Sequence, residues 1–395
     1  MNNVPLNIVA ADWLKNDALI EVMNVLNDGD ACARIVGGTV RDALLNIYWN
    51  RSKKIKDIDI ASTLKPEENM KRLIRAGIKV IPTGLKYGTI TAVIGNKHFE
   101  ITTLRRDIET DGRHAVVEYT DDWMEDAKRR DFRINALYLD LNGKVYDPLG
   151  GLADLKTAKV RFIGDAHARI KEDALRILRF FRFSSDIEVG GVDETGMLAC
   201  VELKEMIHGL SGERIWQELK KILRSKRVMQ VIPVLAAIGI LREIIPEYEG
   251  YDRMLKFVKH EKKLKRKDPL SRLGCLLPKD DDKITQFSKT LKLANKERNR
   301  LLAFAAPYPK HDLTAKTLRR VLYKHGKDVV IFNLIANGEM DQKTLSFIEN
   351  YKIPEMPFKG ADLIAEGWSA GPEMGAELKR REAEWIANDF EVLIH

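Results

Sequence analysis

The chain has 395 residues, 45% of them hydrophobic, and its 66 Lys and Arg against 58 Asp and Glu give a formal net charge of +8. That length suggests two to four domains of ordinary globular composition, and the basic balance favours a polyanionic partner, RNA or DNA. No apolar run is long enough to span a bilayer, the N-terminus has no signal-peptide or transit-peptide pattern, and Cys32, Cys200 and Cys275 fit neither a zinc motif nor a disulfide framework, so a reducing cytoplasm is the expected setting.

Short β-like runs fill the first part of the chain: Ala33–Val36, Ile58–Ala61, Lys79–Pro82, Thr89–Ile94 and His98–Thr103. Asn142-Gly143 between Leu137–Leu141 and Lys144–Tyr146 is a hairpin signal. Helical patterns fall at Val40–Leu45 and Pro66–Ala76, the latter with proline in its first turn. This is a mixed α/β region without a regular βαβ repeat. After Gly164 nearly everything reads as helix, including Arg169–Ser184, a helix after Ser211 as N-cap, Val228–Leu241, Arg253–Lys265, Asp281–Leu293, Lys296–Phe304 and Thr314–Tyr323.

Three constellations carry chemistry. In the first, Gly37-Gly38-Thr39-Val40-Arg41-Asp42 is followed by a basic loop and then Asp57-Ile58-Asp59. Alternate residues of a strand share a face, so Asp57 and Asp59 are expected to project together. Paired carboxylates repel unless a cation neutralises them, and hard oxygen donors suit Mg²⁺ or Mn²⁺ completed by substrate phosphates. The two glycines let backbone N–H groups approach an anion, the following helix offers its positive end, and Arg41 adds a cation. An isolated D-x-D is most often solvated surface. The surrounding strand, turn and helix make this one a candidate triphosphate and metal site.

The second constellation is Arg129-Arg130-Asp131-Phe132-Arg133-Ile134-Asn135. Asp131 and Asn135, four apart on a predicted helix turn, would share a face. Either this is a salt-bridged helix start, or Arg130 meets a phosphate or ribose while Asp131 and Asn135 organise the site. The third is Asp173, Arg176, Arg179 and Arg182, recurring every three residues. On one helix that row faces one region. An ion-pair ladder is the plain reading. The other is that Asp acceptors and Arg donors present both halves of a hydrogen-bond code to a base edge. A basic stretch, Arg253 to Lys267, holds eight basic residues and one acid. It is a solvated helix face or a surface that tracks phosphates.

With these motifs in order, the chain resembles the tRNA nucleotidyltransferase and poly(A) polymerase family, and within it the class II CCA-adding enzymes. The resemblance spans essentially the whole chain and includes Asp111-Gly112-Arg113-His114, Gly212-Glu213-Arg214-Ile215 and a C-terminal pattern around Gly371-Pro372. It implies an α/β nucleotidyltransferase head with a polymerase-β-like palm, followed by an all-α neck, body and tail. The implied boundaries are 1–150 for the catalytic head, 151–230 for a neck that selects the base, and 231–320 and 321–395 for a body and tail that hold the acceptor and T arms of tRNA. It further implies that Gly37, Gly38 and Arg41 bind the triphosphate, that Asp57 and Asp59 hold Mg²⁺, and that Arg130, Asp131 and Asn135 serve the nucleotide. Asp173 and Arg176 would read the base of CTP and then ATP, supported by Arg179 and Arg182. Glu100 resembles a third acid of the site, though a strand acid is equally an edge or salt-bridged position. Lys262, Lys263, Lys265, Arg266 and Lys267 are the expected tRNA contacts, and the expected state is a monomer or weak dimer.

Neighbouring activities leave different marks. Pro82-Thr83-Gly84-Leu85-Lys86-Tyr87-Gly88 resembles the CCA-adding form rather than a bacterial poly(A) polymerase. The segment Leu104 to Lys128, with Arg113 and His114, looks full length, unlike that of a CC-only enzyme. His311-Asp312 is the single His-Asp pair after residue 200, which argues against a fused metal-dependent phosphohydrolase. A catalytically silent RNA-binding protein would be expected to have lost Asp57 or Asp59.

Overall fold

A computed structural model describes Ile8 and residues 11–110, 115–187, 192–306 and 314–391. Arg113, His114 and the His311-Asp312 pair lie outside these residues. The chain divides into two compact units, Met1–Ile244 and Ile245–His395.

The first unit begins with α1 (Asp17–Leu26), β1 (Ala33–Val36), α2 (Gly38–Tyr48), β2 (Ile58–Ser62), α3 (Pro66–Arg75), β3 (Lys79–Gly84), β4 (Thr89–Ile94) and β5 (Lys97–Thr103). A two-stranded ribbon follows, β6 (Arg105–Thr110) with β7 (Ala115–Tyr119), then α4 (Trp123–Lys128) and the hairpin β8 (Tyr138–Leu139) and β9 (Val145–Tyr146). Seven strands form one sheet in the order β3-β4-β5-β2-β1-β8-β9. Only the β2–β5 pair is parallel, and its register sets Asp59 beside Glu100. The five predicted strands and the Asn142-Gly143 hairpin are present, with ends shifted by a residue or two.

Helices account for the rest of this unit: α5 (Gly151–Lys156), α6 (Ala166–Glu172), α7 (Leu175–Asp186), α8 (Glu194–Glu202), α9 (Gly212–Arg224), α10 (Val228–Ala237) and α11 (Ile240–Ile244). Two expected helices are broken. Arg169–Ser184 is interrupted at Asp173, whose backbone is extended (φ −155°, ψ 102°). The Asp173 carboxylate accepts from the Leu175 N–H at 3.1 Å, ending one helix and starting the next. Val228–Leu241 breaks at Gly239, whose φ of +82° is a left-handed conformation that glycine adopts without a Cβ penalty. Ser211 does precede α9, but its side chain makes no capping bond.

Apolar packing fixes these helices to the sheet. Phe132 lies 4.9 Å from Phe162, which stacks on Phe180 at 5.4 Å, so the segment after α4 is clamped to α7. Arg34 sits between Trp123 and Tyr146, 4.2 and 3.5 Å from their ring centres.

The second unit is helical among its described residues: α12 (Asp252–Lys263), α13 (Pro269–Gly274), α14 (Asp281–Thr290), α15 (Asn295–Ala305), α16 (Ala315–Asn337), α17 (Gln342–Asn350), α18 (Gly360–Ala365) and α19 (Pro372–Ala387). α16 is kinked at Gly326 (φ 74°, ψ 160°). Its core centres on Phe332, stacked on Phe304 at 4.1 Å. A fully buried ion pair joins Arg272 Nε to Glu261 Oε2 at 2.7 Å. No helix among the described residues is long and apolar enough to cross a membrane.

Candidate active site

β1 runs into Gly37, whose φ of +71° turns the chain sharply before α2 begins. The Gly37 N–H donates to the Leu137 carbonyl at 3.1 Å, so the turn is tied to the segment before β8. The first turn of α2 therefore carries N–H groups without intrahelical partners at the rim of a cleft. Thr39 Oγ1 donates to the Asp57 carbonyl at 2.7 Å and fixes the start of β2 against the same helix end.

Asp57 precedes β2 rather than lying in it, and both Asp57 and Asp59 are solvent-exposed. The alternation argument therefore covers Asp59 but not Asp57, which is held by its backbone instead. Glu100 is also exposed, on β5 opposite Asp59. Burial in the cleft, then the charges of Glu100 and Asp57, push the Asp59 carboxyl up to about 6 against the pull of Arg130. Among the described residues no three His, Cys, Asp or Glu side chains form a complete metal cage. The neighbouring carboxylates of Asp59, Glu100 and Asp57, the last two raising the proton affinity of the first, are hard oxygen donors of the kind that fit a divalent ion completed by phosphate oxygens.

A cavity of about 480 Å³ adjoins this acid edge. It brings together Gly37, Gly38, Arg41, Asp59, Arg130 and Asp131 with Asn135, Asp173, Arg176, Arg179 and Arg182. Asp57 and Glu100 are outside that lining. Arg41 Nη1 donates to Asn135 Oδ1 at 2.7 Å, and Asn135 Nδ2 donates to Asp131 Oδ1 at 2.8 Å. Arg179 Nε donates to Asp131 Oδ2 at 2.7 Å. One relay thus crosses from α2 to α7. Asp131 and Asn135 do meet, but not on an α-helix: Arg133–Asn135 is a 3₁₀ turn. Burial opposes the Asp131 charge, but Arg179 and the hydrogen bonds from Asn135 and the Phe132 N–H hold the carboxyl below its usual range.

Arg130 is aimed by Asp126, accepting at 2.9 Å from its Nη2. The same carboxylate takes Arg129 Nε at 2.8 Å and the Tyr138 hydroxyl at 2.8 Å. Asp126 is 1% exposed; burial works against its charge, yet Arg130 and Arg129 keep its carboxyl down at about 2. Asp173, at the break before α7, is gripped by Arg214 Nη2 at 2.7 Å. Arg176 bonds Glu172 at 2.6 Å and the Arg169 carbonyl at 2.7 Å. Phe183 also lines the cavity, under the guanidiniums of Arg41, Arg179 and Arg182.

Sequence reasoning assigned no role to Asp126, Arg214 or Phe183. Asp126 stands four residues before Arg130 on a helical pattern, which was the available signal. Arg214 lay in a quoted motif. Nothing local marks Phe183. The basic stretch lies in the second unit: Lys262, Lys263, Lys265 and Lys267 are exposed, while Arg266 pairs with Glu349 at 2.6 Å.

Carboxylates at one end of a cleft and guanidiniums along the rest suit transfer of a nucleotide from its triphosphate, the chemistry of a nucleotidyltransferase. A family model described as Poly A polymerase head domain matches residues 33–161, and one described as a probable RNA and SrmB- binding site of polymerase A matches residues 192–251. The chain is 36% identical over 371 residues to the mitochondrial CCA tRNA nucleotidyltransferase 1 of Mus musculus, covering 90% of this chain and 83% of that protein. It is 34% identical to the Danio rerio protein of the same name, over 96% of this chain and 89% of the relative. The CCA-adding enzyme of Bacillus stearothermophilus, solved in complex with CTP, superposes with a TM-score of 0.77 at 25% identity, over 94% of this chain and 93% of that one. The chain belongs to the CCA tRNA nucleotidyltransferases, in the family that also holds the poly(A) polymerases.

Proposed function

We propose that this chain adds and repairs the 3′-terminal CCA of tRNA by template-independent transfer from CTP and ATP, releasing pyrophosphate. The carrying observation is a single cavity in which Asp59 and the Gly37-Gly38 helix start face the Asp173–Arg176 end of α7. A cleft of that make-up has a place for the reacting phosphates and a protein surface for the base.

Asp57 and Asp59, with Glu100 beside them, hold Mg²⁺, with Mn²⁺ as a substitute. When bound, that ion supplies activation of the RNA 3′ hydroxyl and charge neutralisation on the phosphates. The α2 N–H groups, Gly38 and Arg41 receive the triphosphate, and Arg130 opposes its charge. Asp173 accepts from and Arg176 donates to the base edge, while Arg214 and Glu172 hold those two side chains in place. Asp131 and Asn135 keep Arg41 and Arg179 apart and correctly aimed. The RNA hydroxyl attacks the α-phosphorus in line and pyrophosphate leaves, so the protein's task is positioning and charge stabilisation.

The helical remainder holds the acceptor and T arms through phosphates, using Lys262, Lys263, Lys265 and Lys267. The division into head, neck, body and tail is part of this reading, as are a monomeric or weakly dimeric state and a cytoplasmic setting, the last supported by three unpaired cysteines. Incubation with tRNA trimmed of its 3′ end, Mg²⁺ and labelled CTP and ATP tests the proposal. Two C and one A are expected. A long A tail, two C alone, or no incorporation would replace it with a poly(A) polymerase, a CC-adding enzyme or a silent RNA-binding protein.

A further inference from the structure

A second cavity, of about 660 Å³, shares Arg182 with the catalytic cleft. Two helices contribute to both, and α9 with the residues just past it adds Lys221, Arg224, Ser225 and Lys226 to the second cavity alone. The start of α2 gives Gly38 and Arg41 to the cleft, and the residues just past its end, Trp49 to Lys53, line the second cavity. Along α7, Arg176 and Arg179 face the cleft, Arg182 faces both, and Ser185 and Asp186 face the second cavity. Asp42 joins the two ends: it pairs with Arg41 at 3.0 Å and with Lys53 at 2.7 Å.

The second cavity is strongly basic. Arg51, Lys53, Arg182, Lys221, Arg224 and Lys226 line it against one carboxylate, Asp186. Lys221 and Arg182 are partly neutralised by Glu218, at 3.0 and 2.9 Å. Arg51 and Arg224 make no ion pair among the described residues. The lining also contains Ser225, 6% exposed, whose Oγ has no hydrogen-bond partner among the described residues. A buried hydroxyl without a partner is costly unless something enters to meet it. Clustered guanidiniums and ammoniums with a free hydroxyl make a site for a small, highly charged oxyanion.

We propose that this cavity receives inorganic pyrophosphate, the leaving group of the reaction, on its way out of the cleft. Arg182 lines both cavities, so a cation that meets the product in the cleft is also part of the second site, beside Arg224 and Arg51. The site needs no new bond: it binds a product already formed and draws it away from the reactive phosphorus, which opposes the reverse reaction. The inference rests on nucleotidyl transfer in the neighbouring cleft, but its test reads binding without turnover, so failure of one does not imply failure of the other.

The experiment is calorimetric titration of the full chain with inorganic pyrophosphate in Mg²⁺. Two bound pyrophosphates are expected, one displaced by CTP at about ten times its dissociation constant and one retained. The Arg51→Ala/Arg224→Ala variant should bind only the CTP-sensitive one, with second-site affinity reduced about tenfold or more and CTP affinity unchanged. Arg224→Glu, at an exposed position, is the second variant and should give the same result, with thermal unfolding confirming that each folds. A single pyrophosphate in the wild type, fully displaced by CTP, overturns the proposal. So does a variant that keeps both pyrophosphates and instead raises the KM for tRNA, which would make the cavity an RNA phosphate contact.

Discussion

At the scale of single residues, much of the cleft's charge is arranged from outside it. Asp126 is not itself part of the cavity lining, yet it holds Arg130, which is, together with Arg129 and Tyr138. Its folded carboxyl, at about 2, lies below the ordinary carboxylate value of about 3.9. A depressed value contributes stability that is complete above the ordinary one and is lost as pH falls toward the folded one. The contribution is on the order of 2 kcal/mol. Asp126→Asn should therefore be less stable than wild type at neutral pH, with a gap that narrows between pH 4 and pH 2. Denaturant unfolding across that window measures it, and a gap that stays constant would remove the role. Asp173 is positioned in the opposite sense, by a cation: Arg214 grips one oxygen and the Leu175 N–H the other. Asp173→Ala should lower discrimination of CTP over UTP about tenfold or more in competition assays, because a missing acceptor stops penalising the wrong base edge. Triphosphate binding should stay near wild type. Equal loss of CTP and ATP affinity would contradict the assignment.

At the scale of elements, the site depends on how closely α5 approaches the 131–135 segment. A Cβ built on Gly151 would meet the Arg133 carbonyl oxygen at 2.3 Å, and backbone cannot swing aside as a flexible side chain would. Gly151→Ala should push away the turn that carries Asn135 and loosen its bond to Arg41. We expect a loss of about 1–3 kcal/mol in stability together with weaker CTP binding. Unchanged CTP affinity in a destabilised protein would separate the packing from the site. This dependence also explains what the sequence did and did not make legible. Strands β1 to β5 were readable because their alternation and bounding turns are local. The double glycine was readable because only a special turn needs it. The interruption at Asp173 was not, because the side-chain bond that ends the helix competes with an otherwise uninterrupted helical pattern. Arg41 and Asn135 are 94 residues apart, and the pairing that joins them is set by sheet order rather than by either segment. Phe183 earned no notice because an aromatic on a helix is ordinary core until tertiary packing brings three guanidiniums over it.

At the scale of the whole molecule, the basic residues behind the formal charge of +8 are used differently at the catalytic cleft and in the second unit. Around the catalytic cleft of the first unit, four arginines are matched to carboxylates with fixed geometry: Arg41 to Asp42, Arg130 to Asp126, Arg179 to Asp131 and Arg214 to Asp173. Those pairs suit recognition of one small ligand. In the second unit, Lys262, Lys263, Lys265 and Lys267 are exposed around the end of α12. Exposed ammoniums read no base; they replace counterions condensed on a phosphate backbone, and their effect scales with salt. Changing all four to alanine should raise the KM for tRNA and leave the KM for CTP where it was. The dependence of log affinity for tRNA on log salt should become shallower by about three to four if each lysine displaces one counterion. Filter binding of the full chain across a salt series measures this. An unchanged slope with lowered affinity would mean that the lysines act through the fold of the unit, and an unchanged affinity would move the RNA to another face.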